Sequence, residues 1–146
     1  MSGLPPTVLV DADAFFSYLK GDNLSSHVEK LISKADRGET KLCVSSEIYD
    51  DITSALRSDN IPLNLVVNFI EDMKLIPHHP LPMTAEIAHE ALRLYRLHRG
   101  SRKLHYFDAY HVASAKLYNL PFITSDKYVL EHQNELGIAS IDLASL

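Results

Sequence analysis

The chain reads as an α/β protein of three layers, with helices on both faces of a central parallel sheet of four to five short strands. Three observations predict it. Short apolar runs at residues 7–10, 41–44 and 121–124 are each followed by one or two amphipathic stretches, so strand and helix patterns alternate along the 146 residues. Strands this short are hard to bury except in a parallel sheet covered on both faces. Acids stand where apolar runs end: Asp11 after the first and Asp126 after residues 121–124. In open parallel sheets reactive groups collect beyond the carboxyl ends of the strands.

Taken in order, Thr7-Val8-Leu9-Val10 is a strand that meets Asp11-Ala12-Asp13, and the helix that follows runs through Phe15 and Phe16 to stop at Gly21. Ser26-His27-Val28-Glu29 fits a capping box, and Val28, Leu31, Ile32 and Ala35 keep helical spacing up to Gly38. Residues 41–44 form the second strand, with Ser45 or Ser46 capping a helix whose apolar side is Ile48, Ile52, Ala55 and Leu56. Glu47 and Asp51, four apart, share one face of it. Leu65, Val66, Phe69, Ile70 and Met73 mark the next helix, residues 74–76 a brief strand, and Pro77, Pro80 and Pro82 a break in regular structure. Thr84 caps a helix with Ile87, Ala88, Ala91, Leu92 and Tyr95 turned inward and Gly100 at its end. The helix carrying Asp108 runs to Tyr118, followed by strand 121–124, a helix at 128–136, Gly137 and a last strand at 138–141. Residues 1–146 are expected to form one domain.

Composition narrows the function. An apolar fraction of 46% and a charged fraction of 23% are ordinary for a soluble globular chain, with no run near the ~18 apolar residues of a membrane span. The opening Met1-Ser2-Gly3-Leu4-Pro5-Pro6 lacks the features of a secretory signal, so a cytoplasmic location is expected, with no membrane partner. One cysteine, Cys43, excludes an internal disulfide and multi-cysteine zinc sites, and its apolar setting predicts a buried, inert thiol. The net charge of −5 argues against a broad nonspecific grip on nucleic acid.

The four acids Asp11, Asp51, Asp108 and Asp126 can reach one cleft. Any one of Asp11, Asp108 and Asp126 could be an ordinary helix cap. Together, with Asp11 behind an apolar strand and Asp108 between Phe107 and Ala109, a purely solvated role is awkward. Carboxylates so close need a counter-charge, since like charges raise one another's pKa. An all-oxygen set with no cysteine favours Mg²⁺ or Mn²⁺, and such a cation suits hydrolysis of a nucleic-acid backbone.

At these residues the sequence resembles a PIN domain, and within that family the toxin ribonucleases of VapBC toxin–antitoxin pairs. The resemblance covers nearly the whole chain. Its elements are Val8-Leu9-Val10-Asp11-Ala12-Asp13, Tyr49-Asp50-Asp51-Ile52-Thr53-Ser54-Ala55-Leu56-Arg57, Leu104-His105-Tyr106-Phe107-Asp108-Ala109 and Phe122-Ile123-Thr124-Ser125-Asp126-Lys127. Three departures stand out: Asp13 where Asn or Ser is usual, Asp51 where the family has Glu, and His105 where Ser or Thr is common. The resemblance implies Asp11, Asp51, Asp108 and Asp126 as a catalytic, metal-holding quartet, with Glu47 or Asp13 as fallback ligands. Thr124 orients the quartet, and Ser54 is a supporting polar residue. It further implies a PIN-like fold, Mg²⁺- or Mn²⁺-dependent cleavage of RNA, a homodimer and a cognate antitoxin.

Arg93, Arg96, Arg99, Arg102 and Lys103 form a dense basic cluster leading into the Asp108 helix, suited to RNA phosphates or equally to pairing with Glu86 and Glu90. His111, one turn after Asp108, suits either the cleft rim or packing, and His78-His79 reads as exposed loop. Phe15, Phe16 and Tyr18 read as core or a dimer face. Two other classes compete. Asp11-Ala12-Asp13 also resembles the start of haloacid dehalogenase phosphatases, though residues 123–127 offer one later acid where that family wants a pair. A catalytically inert PIN-like binding module is the third reading.

Overall fold

The computed structural model describes residues 3–100 and 103–146. Five parallel strands, β1 (Thr7–Val10), β2 (Lys41–Ser45), β3 (His79–Leu81), β4 (Phe122–Thr124) and β5 (Ser140–Asp142), lie in the order β3-β2-β1-β4-β5. The order reverses beside β1, so the chain leaves β1 and β4 in opposite directions and opens a crevice between their carboxyl ends. Asp11 stands at the end of β1, and Asp126 lies just past β4.

Alternation along the strands builds two cores. Val8, Val10, Leu42, Val44 and Ile123 face α1 (Ala12–Lys20), α2 (Ser25–Asp36), α3 (Ile48–Ser58) and α4 (Leu63–Met73), where Phe15, Leu31, Ile52 and Met73 are buried. Leu9 and Phe122 face the other way, against α5 (Ala85–His98), α6 (Tyr106–Leu117), α7 (Lys127–Glu131) and α8 (Gln133–Leu136). Successive strand residues point to opposite faces, which is why a four-residue strand serves both layers. Cys43 is a buried, free thiol. No helix among the described residues is long and apolar enough to cross a membrane.

Several expected elements shift, each for a local reason. Residues 74–76 are not a strand: Lys74, Leu75 and Ile76 donate back to Ile70, Asp72 and Met73 as the last turns of α4, leaving Leu75 exposed. The third strand is instead His79–Leu81 and contains Pro80. It sits at the sheet edge and pairs only with β2, the setting in which a strand tolerates proline. The expected capping box at Ser26 is absent. Asp22 forms the turn by accepting from the Leu24 amide, so α2 already starts at Ser25. In α5 the inward face is Ile87, Ala91 and Leu94, with Leu92 turned to solvent. Helix 128–136 divides at His132, and the Ile138 amide closes that helical turn onto the Gln133 carbonyl, delaying β5 to Ser140. His78 is no loop ornament. Its Nδ1 lies 2.7 Å from the Ile76 carbonyl and its Nε2 2.9 Å from the Tyr49 hydroxyl, so Nδ1 donates and Nε2 accepts.

Candidate active site

Four elements deliver carboxylates to one depression of about 310 Å³, lined by Asp11, Asp13, Phe16, Asp51, Asp108, Ser125 and Asp126 together with Ala12. Asp11 ends β1 and is almost fully enclosed. Its Oδ1 accepts from the Ala12 amide at 2.7 Å and its Oδ2 from the Thr124 hydroxyl at 2.7 Å. Thr124, buried at the end of β4, also accepts from the Asp126 amide at 3.0 Å, so one hydroxyl ties the ends of β1 and β4 together. Asp126 caps α7 through Oδ1, which accepts from the Tyr128 and Val129 amides at 2.8 and 3.3 Å.

Asp13 is bound to the same corner. Its Oδ2 accepts from the Ser125 amide at 2.7 Å and the Ser125 hydroxyl at 2.5 Å, while its Oδ1 is buried without a hydrogen-bond partner among the described residues. Asp108 lies in the first turn of α6, with the exposed His105 ring 3.2 Å from its Oδ2. Asp51, in the first turn of α3, has its Oδ2 2.8 Å from Nε2 of the fully buried His111.

The electrostatics follow from this packing. Burial drives the Asp11 carboxyl well above the ordinary carboxylate range, and the charges of Asp13 and Asp108 add to it. Asp13 is raised too, chiefly by burial. Asp108 is pushed up to about 6, by burial first; His111 opposes the rise and Asp126 and Asp51 reinforce it. These acids have dipolar hydrogen-bond donors but too little positive charge. A divalent cation fits that deficit. Oxygen atoms dominate the donor set, and the orphaned Oδ1 of Asp13 is a buried acceptor in want of a positive partner. Potential ligand atoms group as Asp11, Asp51 and His111, and as His105, Asp108 and Asp126, each set lying within 4.8 Å of one another.

All four expected acids therefore line one cleft, and Asp13 joins them. Thr124 bonds to Asp11 as the sequence suggested. Glu47 does not line the depression; its charge is felt by Tyr110, whose hydroxyl is pushed up to about 12, mainly by its hydrogen bond with Tyr106. Ser54 is exposed on α3 and lies outside the lining residues. The basic cluster is divided. Arg93 forms two 2.7 Å bonds to Glu90, whereas Arg96, Arg99 and Lys103 are exposed and Arg102 lies outside the described residues. His111 is not at the rim but wholly enclosed. Its link to Asp51 spans sixty residues of chain, and its only trace in the sequence is its place one turn after Asp108.

No curated protein matches the chain in sequence. Its fold is similar to that in the structure of VapBC2 from Rickettsia felis bound to a promoter DNA fragment, with TM-score 0.64, 10% identity, and coverage of 93% of this chain and 98% of that one. DNA-bound VapBC from Salmonella typhimurium gives TM-score 0.63 at 13% identity over 95% and 99% of the two chains. VapBC-1 from nontypeable Haemophilus influenzae gives 0.62 at 15% identity over 94% and 98%. The model of the PIN domain matches residues 8–134, a span that runs from Val8 of β1 through α7 into the first half of α8 and holds all four acids, and the chain belongs to the PIN domain family.

Proposed function

We propose that the chain is a divalent-metal-dependent endoribonuclease and the toxin of a VapBC-type toxin–antitoxin pair, acting as one domain. The observation that carries this reading is the meeting of Asp11, Asp51, Asp108 and Asp126 in one open depression at the carboxyl ends of β1 and β4, with Asp11 and Asp108 both held above their ordinary pKa by burial first and by neighbouring carboxylates second. In this reading the four acids hold Mg²⁺ or Mn²⁺, and Asp13 offers a fifth carboxylate through its unpartnered Oδ1.

A divalent cation there supplies Lewis acidity toward a phosphodiester and the water that attacks it. The chain's own residues do the rest. Thr124 fixes Asp11 and the backbone of Asp126 in one register, and Ser125 fixes Asp13. Phe16, half-buried at the edge, closes one wall of the depression. Exposed Arg96, Arg99 and Lys103 offer contacts for the RNA backbone. Leu63 and Val67, one turn apart on α4, are exposed apolar side chains that an antitoxin or a second copy of the chain would cover. A phosphatase built on Asp11 and Asp13 fits less well, since residues 123–127 offer only Asp126 where that family wants a pair of later acids.

The test is cleavage of a labelled RNA pool by wild type and Asp108→Asn, each with Mg²⁺, Mn²⁺ or EDTA. Cleavage by wild type with metal only, reduced at least ~100-fold in the variant, is expected. Equal cleavage by both proteins would assign the activity to a contaminant. Metal binding by wild type without cleavage would leave a binding module in its place.

A further inference from the structure

His111 is an improbable residue for its position. It sits on α6 among Ala109, Val112, Ala113 and Ala115, all buried, and is itself 0% exposed. A polar ring there carries a desolvation cost that an aliphatic side chain would avoid, unless it makes a compensating bond. Among the described residues it makes one, from Nε2 to Asp51 Oδ2 at 2.8 Å, while Nδ1 is enclosed without a partner. The carboxylate can only accept, so Nε2 is the donor.

Asp51 needs such a donor. Its neighbour Asp50, in the same first turn of α3, points into solvent, whereas the side chain of Asp51 is 18% exposed and faces Asp108. A carboxylate facing other carboxylates is pushed outward by like charge and would follow Asp50 unless anchored. The enclosed ring supplies a rigid anchor. It also sits three residues after Asp108 on the same helix, so α6 sets both the position of its own acid and that of the acid from α3. The second oxygen of Asp51 takes no hydrogen bond among the described residues and remains available to the cleft.

We infer that His111 is the positioning residue for Asp51, holding one carboxylate oxygen through Nε2–H so that the other is presented to a divalent cation. The inference rests on the metal-dependent reading above. Binding of Mn²⁺ alone, followed by the electron paramagnetic resonance signal of the free ion, tests it without substrate. His111→Leu keeps the packing and removes the donor, and its dissociation constant for Mn²⁺ is expected to rise about 10–100-fold. His111→Gln restores an N–H donor and is expected to return to within a few fold of wild type. Unfolding curves of the metal-free proteins check that each variant is folded. Should His111→Leu fail to fold, nitrogen-15 NMR of wild type decides: an enclosed Nε2–H resonance that shifts in Asp51→Asn supports the inference, and its absence or indifference overturns it. Wild-type binding by folded His111→Leu would also overturn it. So would a nitrogen coupling in pulsed spectra of bound Mn²⁺ that vanishes in His111→Leu, since the ring would then be a ligand itself. Failure of wild type to bind Mn²⁺ would instead sink the metal reading and this inference together.

Discussion

Two groups of enclosed carboxylates in this molecule have opposite fates. On the outer layer, Glu90 of α5 receives both arms of Arg93 at 2.7 Å and the ammonium of Lys116 from α6 at 2.6 Å. Its carboxyl falls to about 2, first through the Arg93 hydrogen bonds. At the mouth of the sheet, Asp11, Asp13 and Asp108 are enclosed beside one another and all rise. Glu90 is a completed ionic joint between two helices. The cleft packs like charges together instead, and groups arranged against their own stability are a mark of a functional site.

The contrast predicts that one chemical change has opposite effects in the two places. Asp108→Asn removes a charge that the metal-free fold does not accommodate. The folded-state pKa of Asp108, about 6, lies above its ordinary 3.8, so its contribution is fully present below pH 3.8 and is lost as pH rises through about 6. Denaturant unfolding of metal-free protein at pH 7.5 is therefore expected to show Asp108→Asn more stable than wild type by about 2–3 kcal/mol. A destabilised variant would break the comparison. Glu90→Gln should act the other way and cost about 1–2 kcal/mol, the lower part of the range for charged hydrogen bonds because Arg93 is 39% exposed and screened by water. The depressed pKa of Glu90 gives stability present above pH 4.5 and lost as pH falls toward 2, so at neutral pH the two variants should depart from wild type in opposite directions and both should converge on it in acid. The smallest effect concerns the basic cluster. Arg96→Ala with Arg99→Ala is expected to lower the salt dependence of RNA binding by about 1.5 in slope, and an unchanged slope would remove them from the RNA surface.

How much of this was legible in the sequence differs by element. β1 with Asp11, β4 with Thr124 and Asp126, and α6 with Asp108 all show an apolar run meeting an acid, a pattern that survives folding because the sheet is buried on both faces. β3 was illegible. Three residues at 74–76 look alike as a strand and as a helix end, and the true strand hides behind Pro80, which only its edge position permits. Local competition for the helix start, Asp22 against Ser26, likewise leaves no mark in spacing. Of the site, Asp11, Asp108 and Asp126 could be named because each stands at an element end or in a first turn, whereas Asp51 was set apart from Glu47 by the resemblance to the family. The His111–Asp51 bond could not, because it joins α6 to α3 across sixty positions and depends on which helix faces which.

The central claim is that the clustered carboxylates of the cleft bind a divalent cation, and carbon-13 NMR titration of the Asp108 carboxyl tests it most directly. In metal-free protein Asp108 should titrate near 6, and saturating Mg²⁺ should move its midpoint down by more than a unit. A midpoint near 4 that does not respond to Mg²⁺ would contradict the account.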